Sequence, residues 1–341
     1  MAVTELEKPS PCEDRGAAVP TFVRDDLYEE RDTGGAGIAV FATSCIASGT
    51  RLFCEQPLIA VPGEATQLGV FRAVAALPGP DQQAYWELAA CSKPSKDLEW
   101  ITELRQSSGE DESFNALVEA HERAWSIYET NRFNMRFPNG DRKFGVFYKA
   151  ARLNHSCSPN VFHRYNPLIN RLTIHALRDI QPGEELNTSY IDICHPTATR
   201  RQILKDWGFK CQCSACESSD SQRDLLSKRI EDVMVKLRKR EDKVKSRPHP
   251  WEAKEYSRSM ALIEKGLRLM EEHGMSETDT SGYLLSLAAT YGARTGRHAE
   301  ATEWAEKLVD VEMKCLGDDS NEYRAAVELG RRISEGSWSP F

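Results

Sequence analysis

Residues 152–160 read RLNHSCSPN, residues 183–190 read GEELNTSY, and residues 211–216 read CQCSAC. The last segment brings together three thiols, those of Cys211, Cys213 and Cys216. Three cysteines at this spacing are typical of a zinc site. The segment therefore predicts that a metal holds this part of the chain in place.

A fourth ligand is needed, because structural zinc sites are tetrahedral and closed. The sequence offers Cys157 in the first segment, while Cys194 and His195 lie nearer to the cysteine clip along the chain. If Cys157 is the ligand, zinc ties residues 152–160 to the chain that follows Tyr190. Four protein ligands also leave no open coordination position, which disfavours a zinc-dependent hydrolase.

The three segments, in this order, resemble the SET-domain protein lysine methyltransferases. That family carries an Asn-His-Ser-Cys segment, a Gly-Glu-Glu-Leu segment ending in tyrosine, and a three-cysteine post-SET clip. Upstream, Gly35-Ala36-Gly37 precedes the apolar run from Ile38 to Phe41 and matches a further family motif. The resemblance covers roughly Phe22 to Glu217, with a long insertion inside it. It is closest to the SET-and-MYND branch, but the nearby Cys54 and Cys91 lack ligand spacing, so we expect no MYND zinc module.

The resemblance implies a role for each matching residue. S-adenosylmethionine would be bound by Gly35, Ala36, Gly37, Asn131, Asn154, His155, Tyr190 and Phe209. Tyr190 would also be the catalytic residue, since its hydroxyl would lie beside the transferred methyl group. Phe133 and Trp207 would wall the lysine channel, and their π faces would favour a cationic sulfonium or ammonium group. The resemblance further implies that Cys157 completes the zinc site with Cys211, Cys213 and Cys216.

Each of these side chains also has a purely structural interpretation. Outside its motif, His155 would be a hydrogen-bonded core histidine and Tyr190 a strand tyrosine. Phe133, Trp207 and Phe209 would be core aromatics. The motifs favour the functional interpretation most strongly for Asn154, His155 and Tyr190.

Composition restricts the class of partner. The formal net charge is −8, which argues against direct nucleic-acid binding and suits a basic peptide substrate. The polar N-terminus has no apolar signal region, and no apolar run reaches membrane-spanning length. We therefore expect an intracellular protein of the nucleus, the cytoplasm or both, with no membrane partner. The sequence does not determine the oligomeric state, and a monomer is favoured.

Hydrophobic patterning predicts an α+β fold. Apolar runs predict strands at 38–41, 52–54, 58–61, 144–147, 161–165, 172–177 and 187–191. Helical periodicity fills the insertion and the C-terminal third, where residues 283–291 and 296–305 resemble one tetratricopeptide repeat. The predicted organisation is a disordered tail (1–20), a β-rich SET domain in two parts (21–62 and 131–193) around a helical insertion (63–130), a post-SET zinc segment (194–217), and an all-α, TPR-like domain (218–341).

The sequence thus predicts an S-adenosylmethionine-dependent protein-lysine N-methyltransferase that binds zinc and a protein substrate with a target lysine. The alternative is a non-catalytic scaffold, in which the helical C-terminal region binds partners and the zinc is purely structural.

Overall fold

The computed structural model describes residues 24–34, 37–91, 99–108, 114–218, 221–245, 252–275 and 278–337. The predicted disordered tail, residues 1–20, lies outside the described residues. So do Gly35 and Ala36, two of the predicted cofactor ligands.

Short strands build the first half of the fold, together with a helical segment between β4 and β5. In the described part of the chain they are β1 (Tyr28–Asp32), β2 (Ile38–Ala42), β3 (Arg51–Glu55), β4 (Ile59–Pro62), β5 (Arg132–Arg136), β6 (Arg142–Val146), β7 (Asn154–His155), β8 (Val161–Asn166), β9 (Arg171–Ala176) and β10 (Asn187–Thr188). They pair as β1-β2, β3-β9-β8, β4-β6-β5 and β7-β10. Only the β7-β10 pair is parallel among these sheets.

The predicted strands are found, with shifted ends, and three further strands appear in the described residues: β1, β5 and β7. β1 reads YEERD and lies mostly exposed, so no apolar alternation marks it in the sequence. It forms because it pairs along five residues with the apolar β2. β5 has a similarly polar sequence, RFNMR, and pairs with β6.

Four helices separate β4 from β5 in the described residues: α1 (Gln67–Ala75), α2 (Gly79–Trp86), α3 (Glu99–Ser108) and α4 (Phe114–Asn131). Thr66 caps α1, because its hydroxyl accepts a hydrogen bond from the Gly69 amide at 3.2 Å. The buried side chains of Tyr85, Ile127 and Tyr128 pack these helices against the β4-β6-β5 sheet. Because α4 runs directly into β5, it positions Asn131 and Phe133 at one edge of that sheet.

The chain after β10 is helical. It contains α5 (Thr197–Leu204), α6 (Ser214–Glu217), α7 (Ser221–Lys245), α8 (Ala253–Glu272), α9 (Asp279–Arg294), α10 (His298–Leu316) and α11 (Asn321–Ser334). From α7 onward each helix packs against the next one. A Cβ at Gly292 of α9 would lie 2.8 Å from the Trp304 ring of α10, so the glycine allows these two helices to approach closely. The two repeat-like segments thus form one helical hairpin, and true tetratricopeptide repeats stay a prediction.

The C-terminal helices are joined to the β-rich half by a partly buried ion pair. Arg51 of β3 donates hydrogen bonds to both carboxylate oxygens of Asp319, at 2.5 and 2.8 Å, and to His175 Nε2 at 3.0 Å. Its side chain is 4% exposed. Asn166 donates from its side chain to the Asp319 carbonyl at 3.2 Å. This contact fixes the start of α11 beside the β3-β9-β8 sheet.

Candidate active site and cysteine cluster

Two segments that are far apart in the sequence, around residues 154–155 and 187–188, lie side by side in the β7-β10 pair. Asn154 pairs with Asn187, and His155 pairs with Thr188, in parallel register. The Asn160 side chain extends the crossing: its amide donates to the Glu185 carbonyl at 2.9 Å, and its oxygen accepts from the Asn187 amide at 2.7 Å. The Asn-His-Ser-Cys segment is therefore held against the strand that leads to Tyr190.

Both nitrogens of the His155 ring have hydrogen-bonding partners inside the protein. The Tyr190 backbone N–H donates to His155 Nδ1 at 3.0 Å, so Nδ1 is the acceptor and Nε2 carries the proton. Nε2 lies 3.2 Å from the Cys157 sulfur and can donate to it. Burial lowers the pKa of His155 to about 4, which agrees with a neutral ring. Any contact of His155 with a cofactor would therefore come from its backbone.

Tyr190 keeps its phenolic proton. Its hydroxyl donates to the Leu153 carbonyl at 2.8 Å. Burial raises the pKa of Tyr190 above its usual value, and the nearby Glu185 carboxylate adds to the rise. At neutral pH the site therefore presents a fixed neutral hydroxyl rather than a phenolate base.

Two cavities meet at Tyr190. The larger, of about 670 Å³, lies between the β-rich half and the C-terminal helices, with Phe162 and Ile191 on one side and Met234 and Tyr283 on the other. The smaller, of about 390 Å³, is lined by residues that include Asn131, Phe133, Leu153, Asp206 and Trp207. Both cavities share His163, Ser189 and Tyr190 as lining residues. The site is thus accessible from two sides of a single tyrosine.

The predicted cofactor and channel residues fall into two groups. Asn131, Phe133 and Trp207 share the smaller cavity with Tyr190, and the Tyr190 and Trp207 ring centroids lie 5.8 Å apart. Asn131 donates its amide hydrogens to the carbonyls of Ala89 and Ile127, at 2.7 and 2.8 Å, which fixes its side chain.

Four other predicted residues do not line the smaller cavity: Gly37, Asn154, His155 and Phe209. Asn154 donates from its side chain to Glu185 Oε1 at 2.8 Å. Phe209 is 36% exposed and packs against the His155 and Tyr190 rings, with centroids 6.0 and 6.3 Å away. Gly37 closes the turn between β1 and β2 with a φ of 74°, a conformation that favours glycine.

The four predicted cysteine ligands lie together. The sulfurs of Cys157, Cys211, Cys213 and Cys216 are all within 4.8 Å of one another, and those of Cys157 and Cys216 are 3.6 Å apart. Thiolates about 2.3 Å from a tetrahedral zinc would be separated by about 3.8 Å. A hydrogen bond with Cys157 lowers the pKa of the Cys213 thiol well below its usual value. The cluster is compatible with zinc.

The two other candidates for the fourth position lie elsewhere. Cys194 packs against the Met275 sulfur at 3.9 Å, and His195 Nδ1 lies 2.9 Å from Glu231 Oε1. The cluster cysteines are free thiols, whereas Cys45, which lies outside the cluster, is disulfide-bonded.

Two arginines, Arg200 and Arg223, lie beside the cysteine cluster. Arg200 is fully buried and donates to the carbonyls of His195 and Ala215, and its Nη2 lies 3.9 Å from the Cys216 sulfur. Arg223 donates to the Cys157 carbonyl at 3.1 Å. Four thiolates around one Zn²⁺ would carry a net charge of −2, so two neighbouring guanidinium groups fit a loaded site.

The sequence did not identify every residue at the centre of the site. His163 and Ser189 line both cavities, and Leu153 supplies the carbonyl that holds the Tyr190 hydroxyl. Leu153 and Ser189 lie next to recognised motif residues in the sequence. That adjacency was the feature from which they could have been predicted as site residues. His163 lies in β8 among strand-forming residues, and nothing in the sequence marks it.

Comparison with known proteins identifies the same region. The SET domain family matches residues 37–191, which include all three shared cavity residues and the β7-β10 crossing. Residues 37–191 form a SET domain. The cysteine clip and helices α5 to α11 follow the SET domain along the chain.

Several lysine methyltransferases are similar to this chain. Histone-lysine N-methyltransferase set5 of Schizosaccharomyces pombe is 32% identical over 204 residues, which are 59% of this chain and 54% of that protein. N-lysine methyltransferase SMYD2-B of Danio rerio is 39% identical over 100 residues, or 29% of this chain and 20% of its own length. Human N-lysine methyltransferase SMYD2 is 39% identical over 79 residues, or 23% and 18%. The similarity thus spans about half the length of set5 and a fifth or less of the SMYD2 proteins.

Proposed function

We propose that this chain is an S-adenosylmethionine-dependent protein-lysine N-methyltransferase. The observation that carries the proposal is the meeting of two cavities at Tyr190. Methyl transfer to an amine is an in-line displacement, so the methyl donor and the amine must approach from opposite sides. A site that is accessible from two sides of one fixed hydroxyl meets that requirement.

We assign the smaller cavity to the reacting end of the cofactor and the inner end of the lysine channel. S-adenosylmethionine, when bound, supplies the methyl group on a cationic sulfur. The aromatic rings of Phe133 and Trp207 and the carboxylate of Asp206 suit a ligand of that charge. Gly35, Ala36, Gly37, Asn131, Asn154, His155 and Phe209 are the proposed cofactor-binding residues, and Asn131 is the one of them that lines this cavity in the described residues.

The larger cavity would receive the substrate segment, with the target lysine side chain extending toward Tyr190. A lysine ammonium must lose a proton before it can attack, and its reference pKa is about 10.4. Burial between apolar walls disfavours the charged form and lowers that pKa. The Tyr190 hydroxyl, held by Leu153, would then orient the amine without acting as a strong base.

Zinc at Cys157, Cys211, Cys213 and Cys216 would have a structural role. Cys157 follows His155 by two residues, and Trp207 and Phe209 precede the clip by a few residues. A metal at this point would therefore hold the crossing segment and the aromatic side chains in fixed relative positions.

The substrate is proposed to be a lysine-bearing protein, with core histones as the first class to test because the set5 relative is named a histone-lysine methyltransferase. We further propose action in the nucleus, the cytoplasm or both. None of the helices in the described part of the chain combines the length and apolar character that crossing a bilayer requires.

The test begins with calorimetric titration of S-adenosylmethionine into zinc-loaded protein, with Asn154→Ala beside the wild type. We expect one-to-one binding that is lost or weakened at least about tenfold in the variant. Radiolabelled methyl transfer to purified core histones and to a cell lysate follows. If the folded wild type binds no cofactor and labels no protein, the chain is better described as a non-catalytic scaffold.

A further inference from the structure

His163 lies at the junction of the two cavities. It is one of the three residues that line both, beside Ser189 and Tyr190. Its ring meets the Phe133 ring edge to face, with centroids 5.1 Å apart, which fixes the plane of the imidazole. A polar ring is therefore held at the point where a lysine amine would pass from one cavity to the other.

The two ring nitrogens of His163 differ in their surroundings. Nδ1 lies 2.7 Å from the hydroxyl of Thr188, which is itself fixed in the β7-β10 pair. No other described residue hydrogen bonds to the ring, so Nε2 is left available to the cavities. Burial lowers the pKa of His163 to about 4, so the ring is neutral at pH 7 and has one N–H and one lone pair.

We propose that His163 donates Nδ1–H to Thr188 and uses the Nε2 lone pair to accept a hydrogen bond from the target lysine amine. His163 is thus a positioning residue that orients the amine and favours addition of the first methyl group over later ones. This inference rests on the proposed methyltransferase function. It identifies His163 as a residue that influences how many methyl groups the target lysine receives.

The preference follows from the hydrogens on the amine. An unmethylated amine has two N–H groups, so one can bond to Nε2 while the lone pair points toward the smaller cavity. Each added methyl group removes one N–H, and a dimethylated amine has none to donate. The advantage given by an acceptor at Nε2 therefore declines with each methylation.

The test compares His163→Leu, which removes the acceptor, with His163→Gln, which keeps one on a side chain of similar reach. His298→Leu, at an exposed histidine in α10, is the matched control. With labelled S-adenosylmethionine and purified core histones, we expect kcat for the first methyl group to fall about tenfold in His163→Leu, with the cofactor KM unchanged. Mass spectrometry should show a larger share of di- and trimethyl lysine, and His163→Gln should retain part of the wild-type behaviour.

Nitrogen NMR of the His163 ring gives a readout that does not depend on activity. The inference expects protonation at Nδ1 and a shift of the Nε2 signal when a lysine peptide binds, and a ring protonated at Nε2 would overturn it. An unchanged rate and product distribution in His163→Leu would overturn this inference alone. Absence of any methyl transfer by the wild type would overturn the proposed function as well.

Discussion

At the scale of single residues, Tyr190 and Arg200 show how much depends on one buried polar group. Tyr190 has its hydroxyl held by Leu153 and its backbone held by His155. Arg200 is buried beside four sulfurs. Each makes several contacts that a smaller or apolar residue cannot replace, so each can be tested by a single substitution.

Tyr190→Phe removes the hydroxyl but keeps the ring that packs against Trp207. We expect methyl transfer to fall by about 100-fold, because a preorganised hydrogen-bonding group at the reacting centre is lost. Cofactor affinity should change little, since the packing surface is retained. Initial rates together with calorimetry separate the two effects, and an equal loss of rate and cofactor affinity would mean that the hydroxyl serves binding only.

Arg200→Met removes a buried charge beside the cysteine cluster. We expect zinc affinity to fall about 10- to 100-fold, as is typical when a group around the ligands is replaced. Competition with a chromogenic chelator measures this change directly. Arg229→Met, at an exposed arginine of α7, is the control, and zinc affinity equal to that of the control would show that Arg200 does not support the metal.

At the scale of elements, the sequence predicts apolar strands well and polar strands poorly. β2, β8 and β9 were found because apolar residues mark them. β1 was missed because its partner strand, rather than its own residues, makes it a strand. β10 lies within the predicted strand at 187–191, but its parallel pairing with β7 is only two residues long in each strand, so periodicity predicts neither β7 nor the pairing. The family motifs contain both segments, but they did not predict that the two segments pair.

Metal removal tests the segment from α5 to α6. The buried core around Leu204 includes Cys157, Cys211 and Cys216, so the cluster is itself the core of this segment. With a zinc chelator, we expect amide exchange in residues 205–217 to accelerate at least about tenfold, because metal binding and local folding are coupled. Helices α9 to α11 should be unchanged and act as the internal control in hydrogen-exchange mass spectrometry. Unaltered exchange in residues 205–217 would contradict a structural metal.

At the scale of the whole molecule, the larger cavity exists only because the C-terminal helices pack beside the SET domain. The sequence predicted both regions, and it predicted as site residues the four cysteines that lie together and Tyr190, which lines both cavities. It did not predict the Arg51–Asp319 pair, whose members are 268 residues apart. Local sequence patterns do not indicate a contact between residues so far apart. They do not indicate His163 either, because its proposed role depends on a cavity formed by two regions.

Asp319→Asn should weaken the connection between the two regions. Burial opposes ionisation of Asp319, but the hydrogen bonds and charge of Arg51 outweigh it and lower the pKa of this carboxyl below its usual value. Loss of the charge should reduce the free energy of unfolding by about 2–3 kcal/mol at pH 7, because Arg51 is left buried without its partner. Urea denaturation of the two proteins measures the difference.

The pH dependence gives a second test of the same pair. Because the folded pKa is lowered, the stabilisation is present above the unfolded pKa of about 3.9 and is lost as the pH falls through the folded value. The difference between wild type and Asp319→Asn should therefore be constant near neutral pH and shrink below about pH 4. A difference that stays constant into that acidic range would show that the carboxylate charge is not responsible.

The crossing of β7 and β10 has a consequence for biosynthesis. Tyr190 is translated 36 residues after Asn154, and Cys216 follows 26 residues later. At about 5–20 residues per second, a ribosome needs roughly 1–5 seconds to pass from Tyr190 to Cys216. During that interval the nascent chain contains Tyr190, the proposed catalytic residue, but not the last cysteine of the cluster. If the cluster binds zinc as proposed, the supply of zinc once Cys216 has been made would therefore influence how many newly made molecules reach the native state.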